Sequence, residues 1–142
     1  MRIIQDYITS DLMKWLHENN MEFVLHNIKA DKGILNILCN EKFCLKIYDR
    51  LGHGFGMSIN VTEKYDESIY KNDNFSLHWA FEYFKIKQTS SFNSRTENQY
   101  LENLPNLIAD IKAIIPTLYQ MNSKEWIDME KWISLEARKQ FT

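Results

Sequence analysis

The stretch "LGHGFG", residues 51–56, is the part of the sequence that comes nearest to a chemical motif. It holds three of the chain's four glycines and places His53 between two of them. A dinucleotide-binding fingerprint needs the spacing G-x-G-x-x-G before a helix, whereas G-x-G-x-G stands here and a predicted strand follows. The phosphate-binding pattern G-x-x-x-x-G-K-[ST] does not occur either. Glycines between strands supply the positive φ angles of a wide turn, so we interpret residues 51–56 as a turn that exposes His53 to a partner.

Other reactive residue types occur without the spacing that catalysis or metal binding needs. The four histidines are at positions 17, 26, 53 and 78. None of them has a second histidine or cysteine at metal-ligand spacing. Asp49 and Arg50 are adjacent in a predicted strand and point to opposite faces, so they cannot act on one substrate atom without a bend in the strand. No G-x-S-x-G motif occurs. The sequence therefore predicts no catalytic residue, no cofactor and no metal, and indicates that the protein is not an enzyme.

Composition limits the class of protein further. A chain of 142 residues, 44% hydrophobic and 25% charged, is expected to form a single domain over residues 1–142. A net charge of −2 argues against nucleic acid or an anionic membrane surface as the partner, since both attract basic proteins. Asp6, Asp11 and Lys14 interrupt the apolar residues at the N-terminus, so no signal peptide is predicted. No apolar run approaches the ~20 residues of a membrane span. We expect a cytoplasmic protein.

Apolar spacing predicts an N-terminal helix followed by a sheet. Residues 3–19 have helical periodicity, and the pair Asn19–Asn20 ends the pattern because asparagine tolerates the left-handed conformation. Four short segments rich in branched and aromatic residues follow, separated by turn residues. They read "EFVLHNIKA", "GILNILC", "KFCLKIYDR" and "MSINVTEK". These segments predict a four-stranded antiparallel meander.

The connection between the second and third strands decides their register. A two-residue turn would pair Cys39 with Cys44 and place Asn36 opposite Ile47. A three-residue turn over residues 40–42 gives one continuous apolar face instead, which is what usually selects a register. Its pairs are Cys39 with Phe43, Ile37 with Leu45, and Leu35 with Ile47. We therefore predict the three-residue turn.

This register has consequences for the cysteines and for the core. Cys39 and Cys44 would point to opposite faces, so no disulfide is expected, and free thiols suit the cytoplasm. The predicted inward face consists of Leu35, Ile37, Leu45, Ile47, Ile59 and Val61.

Residues 75–86 are ambiguous between strand and helix. "FSLHWAFEYF" alternates well enough for a strand, but it also has apolar residues at helical spacing, with Asn74 as a possible N-cap. We favour the helix because alanine, glutamate and lysine are poor strand residues. The polar segment 88–98 is predicted to be a loop.

Two further helices complete the chain. Thr96 and Gln99 have the spacing of a capping box before a long apolar stripe, and Pro105 and Pro116 are expected to kink or segment that helix. A second capping box, formed by residues 122 and 125, opens a terminal helix that extends to about residue 140.

The order of these elements is similar to that of small bacterial immunity proteins of contact-dependent inhibition and other polymorphic toxin systems. The resemblance rests on "FCLKIYDRLGHGFGMSINV", on "FSLHWAF", and on the terminal "SKEWIDMEKWISLEARKQF". It spans most of the chain but transfers no site residue. It implies a non-catalytic protein that binds a toxin domain and blocks its active site.

Together these observations predict an α+β fold with an N-terminal helix, a four-stranded antiparallel meander and three C-terminal helices packed on the sheet. The features hardest to place in a core are the His53 turn, the acidic residues Asp66 and Glu67, and the surplus aromatic residues Trp79 and Tyr83. We expect these five residues to border a partner-binding surface. The alternative is a small-molecule-binding protein or enzyme with a pocket of about 300 Å³ or more between sheet and helices.

Overall fold

The part of the chain that the structure describes forms an N-terminal helix, an antiparallel sheet and three further helices, which is an α+β arrangement. The computed structural model describes residues 6–30, 33–49, 57–62, 75–89 and 96–139. The strands are β1 (Val24–Ala30), β2 (Gly33–Cys39), β3 (Cys44–Asp49), β4 (Met57–Thr62) and β5 (Phe75–Ser76). The α-helices are α1 (Met13–Glu18), α2 (Leu77–Phe84), α3 (Glu97–Gln120) and α4 (Ser123–Lys139).

The N-terminal helix begins with a π-helical segment, Ile8–Leu12, that continues directly into α1. Ile8, Leu12 and Leu16 are buried, as their spacing predicts. The helix ends at the asparagine pair, where Asn20 has a φ of 58°. The prediction that a left-handed asparagine ends this helix is confirmed.

Within the described ranges the sheet has five strands in the order β1-β2-β3-β4-β5, with every neighbouring pair antiparallel. The prediction of a four-stranded meander is therefore wrong. The additional strand is β5, which pairs Phe75 with Val61 of β4. Both side chains are buried in the hydrophobic core, so the strand places an aromatic residue on the core face before the chain becomes helical.

The predicted register of β2 and β3 is also wrong. The strands pair Cys39 with Cys44, and Asn36 with Ile47, as a two-residue turn requires. The Oδ1 atom of Asn40 accepts hydrogen bonds from the backbone N–H groups of Lys42 and Phe43 at 2.7 and 2.8 Å. This side-chain turn is a local interaction that asparagine favours. It fixes the tight connection at the cost of placing Asn36 on the core face.

The two-residue turn changes which residues of β2 face the helices. Leu45, Ile47 and Val61 belong to the hydrophobic core, as predicted. In β2 the core residue is Leu38, which pairs with Leu45, while Ile37 is buried on the opposite face. The inward assignment of Ile37 is therefore wrong. The side chains of Leu35 and Ile59 lie outside the described residues.

The segment that was ambiguous between strand and helix is both. Residues 75–76 form β5, and α2 begins at Leu77. Ser76 occupies the N-cap position without a side-chain capping bond, and Asn74 lies outside the described residues. Lys85 ends the helix with a φ of 55°.

The helix α3 is continuous through both of its prolines, so of the two predicted outcomes, a kink or a break, the break does not occur. Each proline removes one backbone donor, but one side of the helix is buried along its length, and tertiary packing of such a face outweighs the loss. The Oγ1 atom of Thr96 accepts a hydrogen bond from the backbone N–H of Gln99 at 3.2 Å, which confirms Thr96 as the N-cap.

The capping box before α4 is complete in both directions. The backbone N–H of Asn122 donates to Oε1 of Glu125 at 3.1 Å, and the backbone N–H of Glu125 donates to Oδ1 of Asn122 at 2.8 Å. The predicted capping box is confirmed.

The predicted layout, with three C-terminal helices packed on the sheet, is not observed. The helix α2 packs next to β4, β5 and α4, whereas α3 packs next to the N-terminal segment Ile8–Leu12. The core is continuous nevertheless, because Trp126 of α4 reaches the sheet and stacks on Phe43 with ring centroids 5.4 Å apart.

Candidate functional site

The aromatic surface consists of Trp79, Tyr83 and Phe84 of α2 together with Trp132 of α4. All four side chains are half-buried and pack against the core. The ring of Tyr83 lies 5.0 Å from Phe84 and 5.4 Å from Trp132, measured between centroids. These neighbours hold Tyr83 in place while part of its ring remains accessible.

A polar pair borders the aromatic surface. His78 and Glu82 are one helical turn apart on α2, with Nε2 and Oε1 separated by 3.6 Å. Their side chains are 50% and 56% exposed. The Nδ1 atom of His78 lies 3.3 Å from Oε1 of Gln88, in the segment that follows the helix. The His78 ring also lies edge-on to Trp79. Such a pair contributes little to stability, which leaves it available to a partner.

Of the five predicted partner-binding residues, the structure describes two. Trp79 and Tyr83 are four residues apart on one helix and share the accessible side of α2, as the spacing requires. His53, Asp66 and Glu67 lie outside the described residues.

A cavity of about 330 Å³ opens where the N-terminal helix ends against the C-terminal end of α3. Trp15 and Tyr119 supply aromatic surface, and three amide side chains supply hydrogen-bonding groups. The lining residues are Trp15, Asn19, Asn20, Met21, Pro116, Tyr119 and Gln120. The cavity lies between helices, whereas the alternative prediction concerned a pocket between sheet and helices. Sequence reasoning identified the two asparagines only as a helix end, since no pattern links them to α3.

Lys42 connects the β2–β3 turn to the same end of α3. Its ammonium group donates to the backbone carbonyls of Tyr119 at 2.9 Å and Met121 at 3.2 Å. It also lies 5.8 Å from the centroid of the Tyr119 ring. A cation at a helix C-terminus is favourable because the last carbonyls carry partial negative charge. Lys42 therefore fixes one wall of the cavity.

Asp110 is a buried carboxylate in the middle of α3, with an exposed fraction of 4%. Its Oδ1 atom accepts hydrogen bonds from the Thr89 hydroxyl at 2.7 Å and from the Thr89 backbone N–H at 3.0 Å. The chain after α2 is thereby fixed to α3. These bonds give Asp110 a structural role, which no local pattern predicted because its partner is 21 residues away in the chain.

The two cysteines are free and buried. A side-chain hydrogen bond with Cys44 favours the protonated form of Cys39 and raises the pKa of its thiol well above the ordinary value, and burial raises it further. Cys39 is therefore protonated at neutral pH and is not an activated nucleophile.

Within the described ranges, no three His, Cys, Asp or Glu side chains are grouped closely enough to hold a metal ion. The helices in the described part of the chain are all too short or too polar to cross a membrane.

Comparisons with known proteins give one partial similarity. The chain is 31% identical over 85 residues to the arginine–tRNA ligase of Baumannia cicadellinicola subsp. Homalodisca coagulata. The match covers 60% of this chain but spans only 11% of the ligase. No model of a known protein family and no solved structure matches the chain.

Proposed function

We propose that this chain is a non-catalytic protein-binding protein, an immunity protein that binds and neutralises a bacterial toxin domain in the cytoplasm. The observation that supports this proposal is the aromatic surface on α2 and α4. Tryptophan and tyrosine are the residues that most often dominate the binding energy of protein interfaces.

The packing of these rings supports the proposal because it lowers the cost of binding. Tyr83 is held by Phe84 and Trp132, so little side-chain freedom is lost when a partner covers it. Glu82 at the margin offers a negative charge to a basic partner. A charge at the rim of an interface accelerates association more than it strengthens binding.

The proposal requires that a gene next to this chain's gene encodes a secreted protein, and the C-terminal domain of that protein is the probe. We expect the chain to bind that domain in a size-exclusion or calorimetric experiment and to restore growth of cells that express it. Trp79→Ala and Tyr83→Ala should each weaken binding by at least 10-fold, as the truncation of an aromatic anchor usually does.

A matched control is Val24→Ala, which truncates an exposed apolar side chain on β1, the sheet edge opposite β5. This variant should bind like the wild type. Circular dichroism of every variant verifies that folding is intact. If the wild-type chain neither binds the domain nor restores growth, the proposed function is wrong; if both aromatic variants bind like Val24→Ala, the surface is wrong.

The second candidate function is the binding of a small polar ring compound in the cavity beside Trp15. Its volume of about 330 Å³ reaches the size that ligand sites usually need. Aromatic rings beside amide groups suit a sugar or a nucleoside, which present a flat face and hydrogen-bonding edges. Thermal denaturation in the presence of adenosine or glucose tests this candidate, with Trp15→Ala as the variant that should abolish any stabilisation.

The ligase activity of the similar protein is not proposed for this chain. The match spans 11% of that ligase, and a net charge of −2 does not favour binding to a polyanion such as tRNA.

A further inference from the structure

Cys39 and Cys44 are directly opposite each other in the sheet. The register pairs them across β2 and β3, next to the two-residue turn. The backbone N–H of Asn40 donates to the carbonyl of Phe43 at 3.0 Å, so residues 40 and 43 form a hydrogen-bonded pair. Because the two kinds of pair alternate along antiparallel strands, Cys39 and Cys44 occupy a non-hydrogen-bonded pair.

This position has the dimensions of a disulfide. The Cα atoms of a non-hydrogen-bonded pair are about 4.5 Å apart and their side chains lie on the same face. Disulfides span Cα separations of about 4.4–6.8 Å. The two thiols already interact with each other through a side-chain hydrogen bond. Bond formation therefore needs no change in the strand pairing.

We propose that Cys39 and Cys44 are a redox site that forms a reversible disulfide across the β2–β3 hairpin when the protein meets a low-molecular-weight disulfide. The thiolate of one cysteine attacks a sulfur of the oxidant, a mixed disulfide forms, and one oxidant thiolate leaves. The second cysteine then attacks the protein sulfur of the mixed disulfide, and the second oxidant thiolate leaves. The two cysteines are oxidised, the oxidant is reduced to two thiols, and the two protons of the cysteines end on those thiols.

The disulfide fixes the end of a hairpin that contacts the C-terminal helices. Lys42 in the turn binds the last carbonyls of α3, and Phe43 stacks on Trp126 of α4. Exchange is slow at neutral pH because burial and the neighbouring Cys44 raise the pKa of Cys39, and thiolate is the attacking species. The oxidised state therefore reports a sustained oxidising environment and not a brief one.

The experiment equilibrates reduced, folded wild-type protein with hydroxyethyl disulfide at a pH of about 8.5, where thiol exchange is faster. Remaining thiols are alkylated, and the protein is digested with trypsin. Cleavage after Lys42 separates residues 33–42, which carry Cys39, from residues 43–46, which carry Cys44. We expect these two peptides to appear joined, with a loss of two hydrogen atoms, and to separate after reduction with dithiothreitol.

Cys44→Ala is the matched control and should give no joined peptides, only a mixed disulfide on Cys39. If this variant fails to fold, the wild-type digest still decides, because the joined peptides are specific to an internal bond. Circular dichroism should be the same before and after oxidation. The proposal is overturned if both cysteines of the folded protein are still free thiols after equilibration and are recovered alkylated. It is also overturned if they carry only mixed disulfides, or if the joined peptides appear only in denaturant.

Discussion

The two faces of the sheet at β2 and β3 differ in composition although both are buried. The core face contains Leu38, Leu45 and Ile47, which pack with the helices, but it also contains Asn36. The opposite face contains Ile37 and the cysteine pair, all less than a tenth exposed. Apolar residues therefore occur on both sides of β2, and the apolar pattern favours the predicted register only through Asn36, which the observed register places on the core face. The difference shows that the turn selected the register and that the core accommodated it.

The largest loss of stability is expected when a charged side chain replaces an apolar one on the core face. Ile47 is fully buried, so Ile47→Asp should lower the free energy of unfolding by about 4 kcal/mol or more, because the core cluster among the described residues is hydrophobic and offers the carboxylate no cation. Urea denaturation measures the change. The control Val24→Asp, at a site that is 60% exposed, should cost less than about 1 kcal/mol. Equal losses for the two variants would contradict the assignment of Ile47 to the core.

The same truncation on each face compares their packing directly. Ile37→Ala and Ile47→Ala should each cost about 2–4 kcal/mol, since both side chains are fully buried. Chemical denaturation of both variants under one set of conditions gives the comparison. A loss below about 1 kcal/mol for Ile37→Ala alone would show that the face opposite the helices is not packed like a protein interior.

A smaller effect, in the opposite direction, is expected at Asn36. Neither Oδ1 nor Nδ2 of this buried amide has a hydrogen-bond partner among the described residues. Replacing it with an apolar side chain of similar shape, Asn36→Leu, removes the cost of burying an unpaired amide and should stabilise the protein by about 1–2 kcal/mol. Thermal and urea denaturation measure the gain. Destabilisation would indicate that the amide is satisfied, and the register of β2 would then need revision.

The smallest expected effect is a pH dependence of stability that comes from Cys39, on the face of the sheet opposite the helices. The pKa of Cys39 is raised in the folded state, so above its ordinary value of 9.0 the unfolded chain loses this proton first. Stability is therefore fully present below about pH 9 and falls as the pH rises. Cys39→Ala removes this contribution, and its unfolding free energy should decline less steeply between about pH 8.5 and 10. Parallel declines for the variant and the wild type would refute the shift.

The features that the sequence predicted correctly depend on residues close together in the chain. The capping bonds of Thr96 and of Asn122 with Glu125 join residues three apart, and Asn20 ends its helix through its own backbone preference. Each of these interactions forms in the same way whatever the rest of the protein does.

The features that were missed are decided by competition between levels of structure. The predicted register of β2 and β3 was wrong because the hydrogen bonds of the Asn40 side chain in the turn outweighed the gain from a continuous apolar face. The fifth strand was missed because two residues are too few to give a periodic signal. The predicted break in α3 does not occur because packing outweighs the loss of two backbone hydrogen-bond donors at the prolines. Of the candidate site, sequence placed Trp79 and Tyr83 on one side of a helix, but not the contact between Tyr83 and Trp132, which joins separate helices.

Lys42 also bears on the order in which the protein assembles. Its carbonyl partners are 77 and 79 residues further along the chain, whereas the hairpin that carries it closes within a few residues. During synthesis both strands of the hairpin are therefore available to pair while the ammonium group of Lys42 is still hydrated, and the contact with α3 forms only after residues 119–121 have been synthesised. We expect this long-range contact to form after the folding transition state, and a contact made at that stage restrains unfolding and does not speed folding. We expect Lys42→Met to accelerate unfolding in stopped-flow measurements and to leave the refolding rate close to that of the wild type.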